Sequence, residues 1–253
     1  MILVFSDFQA TGPYRGAMQA AILRHAGPEA VVVDLMVDAP DRDPMKAAYL
    51  LASCRGEFTH GDVGLCVVDP GVGSDRRGLM AHCDGVWLVG PDNGLFELWL
   101  RRAKDVRLWQ IDWEPEDVSA SFHGRDIFGP VAGMIAAGKD VACREIDVSA
   151  RFADAINWPD DLAQVIYIDG YGNVMTGLRA AVVVPGQTLL KAGDMPISRA
   201  RTFSDVRPGE AFWYENAFVL VKMRLMAGAP MRCHILKQAQ SLNGPVQFRG
   251  RTC

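Results

Sequence analysis

Apolar and polar positions along this chain of 253 residues follow two rhythms, one in each half. In the first half, short apolar runs alternate with helical patterns. Ile2 to Phe5 is β-rich and stops at Ser6-Asp7, Tyr14 to His25 is helical, Val31 to Leu35 is strand-like, and Pro44 to Ser53 is helical again. Leu65 to Val68 ends at Asp69, and Val86 to Val89 ends at Gly90-Pro91-Asp92, with a helical segment at Leu95 to Arg102. Buried strands alternating with helices predict an α/β domain with a mainly parallel sheet. Ligands of such sheets gather beyond the carboxyl ends of the strands. Three of the apolar runs reach an aspartate there (Asp7, Asp69 and Asp92), and that coincidence points to a site.

After Arg151 the rhythm changes. The stretch Asn157-Trp158-Pro159-Asp160-Asp161 reads as a linker. Beyond it come short β-rich runs at Val165 to Ile168, Ala181 to Val184, Ala211 to Tyr214 and Phe218 to Met223. Asp169-Gly170, Pro185-Gly186 and Pro208-Gly209 punctuate them as turns. Many short strands with Gly and Pro turns predict a smaller all-β, barrel-like domain. The expected division is an α/β domain over 1–155 and a β domain over 160–253, with no internal repeat.

Composition narrows the function classes. Apolar residues make up 49% and charged residues 22%, an ordinary globular balance. The net charge is −4 and the basic residues are scattered, so no nucleic-acid footprint is expected. The apolar run at the N-terminus is too short for a signal peptide, and no stretch has the length of a spanning helix. Six dispersed cysteines without a CxxC pair fit free thiols in a reducing, cytoplasmic setting. Neither these nor the five scattered histidines show a metal-ligand spacing, so no metal is expected.

Four motifs carry candidate chemistry. Val68-Asp69-Pro70-Gly71-Val72-Gly73-Ser74-Asp75-Arg76-Arg77 follows a buried strand. Its glycines form a tight loop that can fold Asp69 against Arg76, although a capped turn with solvated arginines would use the same residues. Gly90-Pro91-Asp92-Asn93-Gly94-Leu95-Phe96 can cap the helix that follows it, and capping is compatible with lining a cleft. Ser121-Phe122-His123-Gly124-Arg125-Asp126-Ile127-Phe128-Gly129-Pro130 is the most chemically loaded stretch. A histidine beside glycine and a charged pair makes a poor core segment, and histidine can exchange a proton near neutrality. Ile168-Asp169-Gly170-Tyr171-Gly172-Asn173-Val174 reads either as a plain turn or as a nucleoside site. In the second reading Asp169 accepts ribose hydroxyls, Asn173 reads an adenine edge and Tyr171 stacks on the ring.

In this order the motifs resemble the S-adenosyl-L-methionine (SAM) hydroxide adenosyltransferase family, the adenosine-forming SAM hydrolases, which is related to fluorinases and chlorinases. The resemblance runs from Ser6-Asp7-Phe8 to the segment around Asn216. It implies an N-terminal α/β domain, a barrel-like C-terminal domain and a homotrimer with sites between subunits. It also implies hydrolysis of SAM, as substrate rather than cofactor, to adenosine and methionine. Asp69, Arg76 and His123 would then hold and activate water, while Asp7 and Asp169 grip the ribose. Tyr171 and Phe203 would sandwich adenine, Asn173 and the Ala227 backbone would read its edge, and Phe122 would line the pocket near the reacting carbon.

The chain departs from the family where relatives show a stretch like NSxGxLEIAxN. Here Asn216 is followed by Ala217, Val219, Lys222 and Met226 at the Ser, Gly, Glu and final Asn positions. In relatives that segment, Asn216 included, helps hold methionine and adenine. A second departure is Leu35-Met36-Val37-Asp38, where relatives often carry a histidine-containing loop. Two other functions use the same features. A SAM or adenosine sensor would bind without turnover, and Lys222 and Met226 favour it. A halogenase would lack the Asp–Arg–His set and place a halide-binding serine where this chain has Gly124.

Overall fold

The computed structural model describes residues 1–153, 156–183, 189–192 and 195–225. The chain divides into two compact units, Met1–Trp158 and Pro159–Cys253.

The first unit is built on β1 (Ile2–Ser6), every residue of which is buried. It lies between β2 (Val32–Met36) and β3 (Val63–Val67), parallel to both, and β3 pairs in parallel with β5 (Val86–Pro91). Beyond that the direction reverses. β4 (Gly78–Cys83) is antiparallel to β5 and to β6 (Val106–Ile111), and β6 is antiparallel to β7 (Cys143–Ile146). The seven strands run in the order β2-β1-β3-β5-β4-β6-β7. The sheet is therefore mixed, and the mainly parallel arrangement expected from the sequence holds only for its first four positions. The cause is local. β4 and β5 are joined by Asp84-Gly85 alone, with φ of 49° and 86°, a two-residue turn that can only make a hairpin.

Helices cover this sheet because their apolar positions recur at helical spacing. α1 (Tyr14–Ala26) buries Met18, Ala21 and Ile22. It packs against α4 (Gly129–Ala136) over a core that contains Ile2, Val4, Leu65, Val67, Met80 and Phe128. The two helices approach so closely that a Cβ on Gly133 would stand 2.5 Å from the Ile22 carbonyl oxygen. Ile2 and Val4 face this layer, and the pleat turns Leu3 and Phe5 to the opposite side. α2 (Pro44–Ser53) starts on a capping Asp43 with proline in its first turn, and packs against α3 (Glu97–Arg102). α5 (Val148–Ala153) sends Arg151 to the buried Glu97, 3.2 Å away. No helix among the described residues is long and apolar enough to cross a membrane.

Among its described residues the second unit is built of strands joined by turns, as its short β-rich runs predict. β8 (Leu162–Ile168), β9 (Val174–Arg179), β10 (Leu189–Ala192), β11 (Met195–Arg199), β12 (Ala211–Glu215) and β13 (Leu220–Leu225) form one sheet. Its order is β10-β11-β12-β13-β9-β8, antiparallel except for β11 with β12. Among the described residues no ladder joins β10 to β8. The apolar run near Ala181 is a 3₁₀ turn (Ala180–Val182), and the strand lies just before it as β9, where Thr176-Gly177 interrupts the apolar pattern. Val174, Leu178, Trp213, Val221 and Met223 form the core on one face.

Candidate active site

A cavity of about 300 Å³ opens where the chain leaves β1 and β3. Asp7, Asp69, Phe122 and His123, four of the candidate residues, line it together with Val67, Val72, Ser121 and Gly124. Asp69 follows β3 and begins a glycine-rich loop whose turns close through Val72 N–H to the Asp69 carbonyl and Ser74 N–H to the Gly71 carbonyl. Gly73 has φ 80°, and a Cβ there would stand 2.4 Å from the carbonyl oxygen of Ala120. Only glycine lets the loop lie this close to the 119–123 segment, which carries His123. The next residues, Gly124–Phe128, form a single π turn that runs into α4, a distortion found often at functional sites.

The loop folds Arg76 back onto Asp69. Arg76 Nε donates to Oδ1 at 3.0 Å and Nη2 to Oδ2 at 2.6 Å, a bidentate fork between side chains only 8% and 5% exposed. The other Nη2 proton points to His123 Nδ1 at 3.1 Å, and Nη1 donates to the Arg77 carbonyl at 2.8 Å. The Phe128 ring lies under the guanidinium, 5.1 Å from ring centre to Cζ. Arginine only donates, so Nδ1 of His123 accepts and its proton sits on Nε2. Burial, aided by the Arg76 charge, lowers the His123 pKa despite the opposing pull of Asp69. The group is thus held neutral, with its remaining N–H free to donate.

Asp7 accepts the backbone N–H of Arg42 at 3.0 Å. Burial raises its pKa, and the Asp41 and Asp69 charges add to the rise against that hydrogen bond. Four lining residues were not flagged as site residues by the sequence: Phe8, Tyr14, Asp41 and Arg42. Phe8 and Tyr14 meet the Phe122 ring edge-on at 5.5 and 5.4 Å. Asp92, the third strand-end aspartate, does not join the cavity lining. It pairs with Arg77 at 3.2 Å and with Arg151 at 3.7 Å, while Asn93 ties the ends of β3 and β5 through the Val68 carbonyl.

The second unit holds the remaining candidates. Asp169 organises the β8–β9 turn, and its Oδ1 accepts the N–H groups of Tyr171 (3.0 Å) and Asn173 (2.9 Å). Its Oδ2 accepts Asn173 Nδ2 at 2.7 Å and pairs with Lys222 Nζ at 2.7 Å. Burial alone pushes Asp169 up, but the lysine and these donors hold its carboxyl below the usual carboxylate range. Tyr171 stands 82% exposed at the tip of the turn. Phe203 packs edge-on to Tyr214 at 5.3 Å and carries Arg224 over its ring at 4.8 Å. Asn216 spends its carbonyl on the N–H groups of Phe218 and Leu220, shaping the β12–β13 turn. Ala227 lies outside the described residues, as does Met226.

Comparison with known proteins gives a consistent result. Family profiles described as the SAM hydroxide adenosyltransferase N-terminal domain and C-terminal domain match residues 2–145 and 163–237. A Salinispora tropica protein named (R)-S-adenosyl-L-methionine hydrolase is 37% identical over 202 residues, 75% of this chain and 76% of that one. A Thermus thermophilus protein of the same name is 33% identical over 94% of this chain and 96% of its own. A solved structure of a conserved hypothetical protein from Thermus thermophilus is 29% identical, with a TM-score of 0.70 over 92% of this chain and 94% of that one. That of an uncharacterized conserved protein from Thermotoga maritima, 23% identical, shares the fold at a TM-score of 0.76 over 94% and 96% of the two chains.

Proposed function

This chain belongs to the SAM hydroxide adenosyltransferase family, and from that premise we infer that it is a hydrolase that splits SAM with water into adenosine and L-methionine. The observation that carries the reading is the buried Asp69–Arg76–His123 cluster at the wall of an aromatic-lined cavity. A sulfonium centre needs little help to leave, because it departs as a neutral thioether. The scarce component is the nucleophile, since bulk water is far too weak an acid to supply hydroxide at neutral pH.

On this reading Asp69 and His123 divide the work. His123 is occupied at Nδ1 by Arg76 and protonated at Nε2, so it suits holding the water oxygen as a donor. Asp69 keeps lone pairs beyond its two bonds from Arg76 and takes the proton. The water oxygen bonds to the 5′ carbon, the carbon–sulfur electron pair goes to sulfur, and the water proton goes to Asp69. Arg76 fixes the carboxylate and steadies the developing hydroxide. Asp7 and Asp41 add negative charge that suits a cationic substrate, and on this reading Asp7 would bind the ribose and Phe122 would pack beside the reacting carbon. In the second unit Tyr171 and Phe203 would bracket adenine and Asn173 read its edge, with Asn216 supporting the segment.

The reading needs neither metal nor cofactor, because the leaving group is already activated. The named relatives point to the (R)-sulfonium epimer as substrate. A homotrimer with sites between subunits and a cytoplasmic setting complete it, the latter in keeping with the buried free thiols of Cys54, Cys66 and Cys83. Purified protein with excess chelator, given each SAM epimer separately, should release adenosine and methionine in equal amounts. No release from either epimer sinks the hydrolase reading, and activity restored only by a divalent ion sinks the metal-free one. Mixing Asp69→Ala with Asn173→Ala protein under exchange conditions should restore turnover, whereas an active monomer in solution overturns the trimer.

A further inference from the structure

The Asp169 carboxylate already receives four donors: Tyr171 N–H and Asn173 N–H on Oδ1, Asn173 Nδ2 and Lys222 Nζ on Oδ2. An ionised carboxylate offers about four lone-pair positions. None is left to accept a ribose hydroxyl. Lys222 stands in the opposite condition. Its ammonium has three N–H donors, and among the described residues its one ion-pair partner is Asp169.

The surroundings place those spare donors. Lys222 on β13 lies directly across from Tyr214 on β12, so the two side chains share a sheet face. Tyr214 touches Phe203, the exposed ring proposed above as one wall of the adenine slot. Asn173, 3% exposed, is turned by the same carboxylate. A carboxylate only accepts, so Nδ2 must face Asp169, and Oδ1 is left buried without a partner. A buried acceptor without a bond is costly and marks a place where a ligand donor belongs. Ammonium and orphan amide oxygen thus meet at one carboxylate, with Tyr214, and through it Phe203, on the neighbouring strand side.

We propose that Lys222 is the ribose-contacting, specificity-determining residue of the second unit, donating to the 2′ and 3′ hydroxyl oxygens, and that Asp169 is a positioning residue which aims Lys222 and Asn173. This rests on the nucleoside reading of that unit given above. A lysine at this position makes sense on this view. It replaces an accepting ribose contact with a donating one, and it holds the turn closed before the ligand arrives.

The test compares two ligands in each of two proteins. Adenosine and 2′,3′-dideoxyadenosine are titrated calorimetrically into the parent and into Lys222→Met. The parent should favour adenosine by about tenfold or more, the usual worth of a hydrogen bond from a charged donor. In Lys222→Met the preference should fall at least about threefold from its parent value, any remainder being the share of Asp7. If Asp169 is itself the grip, removing the lysine frees Oδ2 and the preference rises, which overturns the assignment. If the substitution only collapses the turn, both ligands weaken in proportion and the ratio stays at its parent value, which also overturns it. Should Lys222→Met fail to fold, Lys222→Ala is read in the same way, and a parent preference below about threefold sinks the proposal outright. A parent that binds neither adenosine nor SAM removes the nucleoside reading itself, whereas one that binds adenosine but fails the ratio test removes only the role of Lys222.

Discussion

Each unit of this protein sets an aspartate against a cation beside a nitrogen-bearing side chain. In the first, Arg76 grips both oxygens of Asp69 and reaches on to His123. In the second, Lys222 meets one oxygen of Asp169 while backbone and amide donors take the rest. The pairs look alike in charge and differ in what they leave free. Arg76 engages four of its five donors, and Asp69 keeps lone pairs to accept with. Asp169 is saturated, and Lys222 keeps donors to offer. A carboxylate–cation pair is therefore not one kind of site, because its chemistry depends on which partner has unspent hydrogen-bonding capacity.

The widest gap between the two pairs should appear on changing the carboxylates. Asp69→Asn removes the proton acceptor and should lower kcat by about 10³-fold. Asp169→Asn should raise the SAM dissociation constant while leaving kcat at saturation within a few-fold. Comparable kcat losses in the two variants would erase the distinction.

A smaller effect is expected at the imidazole. His123→Ala should cost about 10²-fold in kcat, less than Asp69→Asn, with the SAM dissociation constant nearly unchanged. Single-turnover release of adenosine beside calorimetric titration reads both quantities. A loss larger than that of Asp69→Asn would make His123 the base.

The pH dependence sharpens the same contrast. The folded-state pKa of His123 lies below its ordinary value, so the unfolded chain binds more protons between the two. Stability should therefore fall as pH drops through the ordinary histidine range, and the acid limb of kcat/KM should lie below that range. The folded-state pKa of Asp169 is also depressed, so its contribution is present above the ordinary carboxylate value and is lost as pH falls through the folded one. Acid unfolding followed by circular dichroism should thus move to higher pH in Lys222→Met, while the acid limb attributed to His123 stays in place. A shift of both transitions would mean that the substitution acts globally.

The smallest change tests the nucleophile. A Cβ on Gly124 would stand 3.2 Å from the Phe8 ring, a tight contact that a small ring displacement can absorb. Gly124→Ser should lower stability by about 1 kcal/mol and still give adenosine, without 5′-halo-adenosine in chloride or fluoride. A halogenated product above trace would show that the serine alone redirects the cavity.

Much of the first pair was legible in the chain, because Asp69 and Arg76 lie seven residues apart on one glycine loop and His123 sits in a stretch too polar for a core. Phe8, Tyr14, Asp41 and Arg42 were not. The Arg42 N–H reaches Asp7 across 35 positions, at a non-glycine residue with φ 50°, and no local pattern announces such a bond. The alternation of strands and helices was readable, but the reversal at β4 hung on the two residues Asp84-Gly85. Lys222 stood out only as a departure from a family pattern. Its partner follows from the β13–β9 ladder, which brings Lys222 opposite Met175 and so beside the β8–β9 turn. Register is a property of paired strands, and one strand's sequence does not contain it.

The contact between Gly73 and the Ala120 carbonyl has a consequence for anyone wishing to transplant this chemistry. The glycine loop holds its shape by leaning on a segment nearly fifty positions later in the chain, and that segment supplies the imidazole. A graft of residues 69–77 alone onto another α/β scaffold would carry the carboxylate and guanidinium without the surface that aligns them. The smallest portable unit is both segments with the π turn beneath them, spaced as one template.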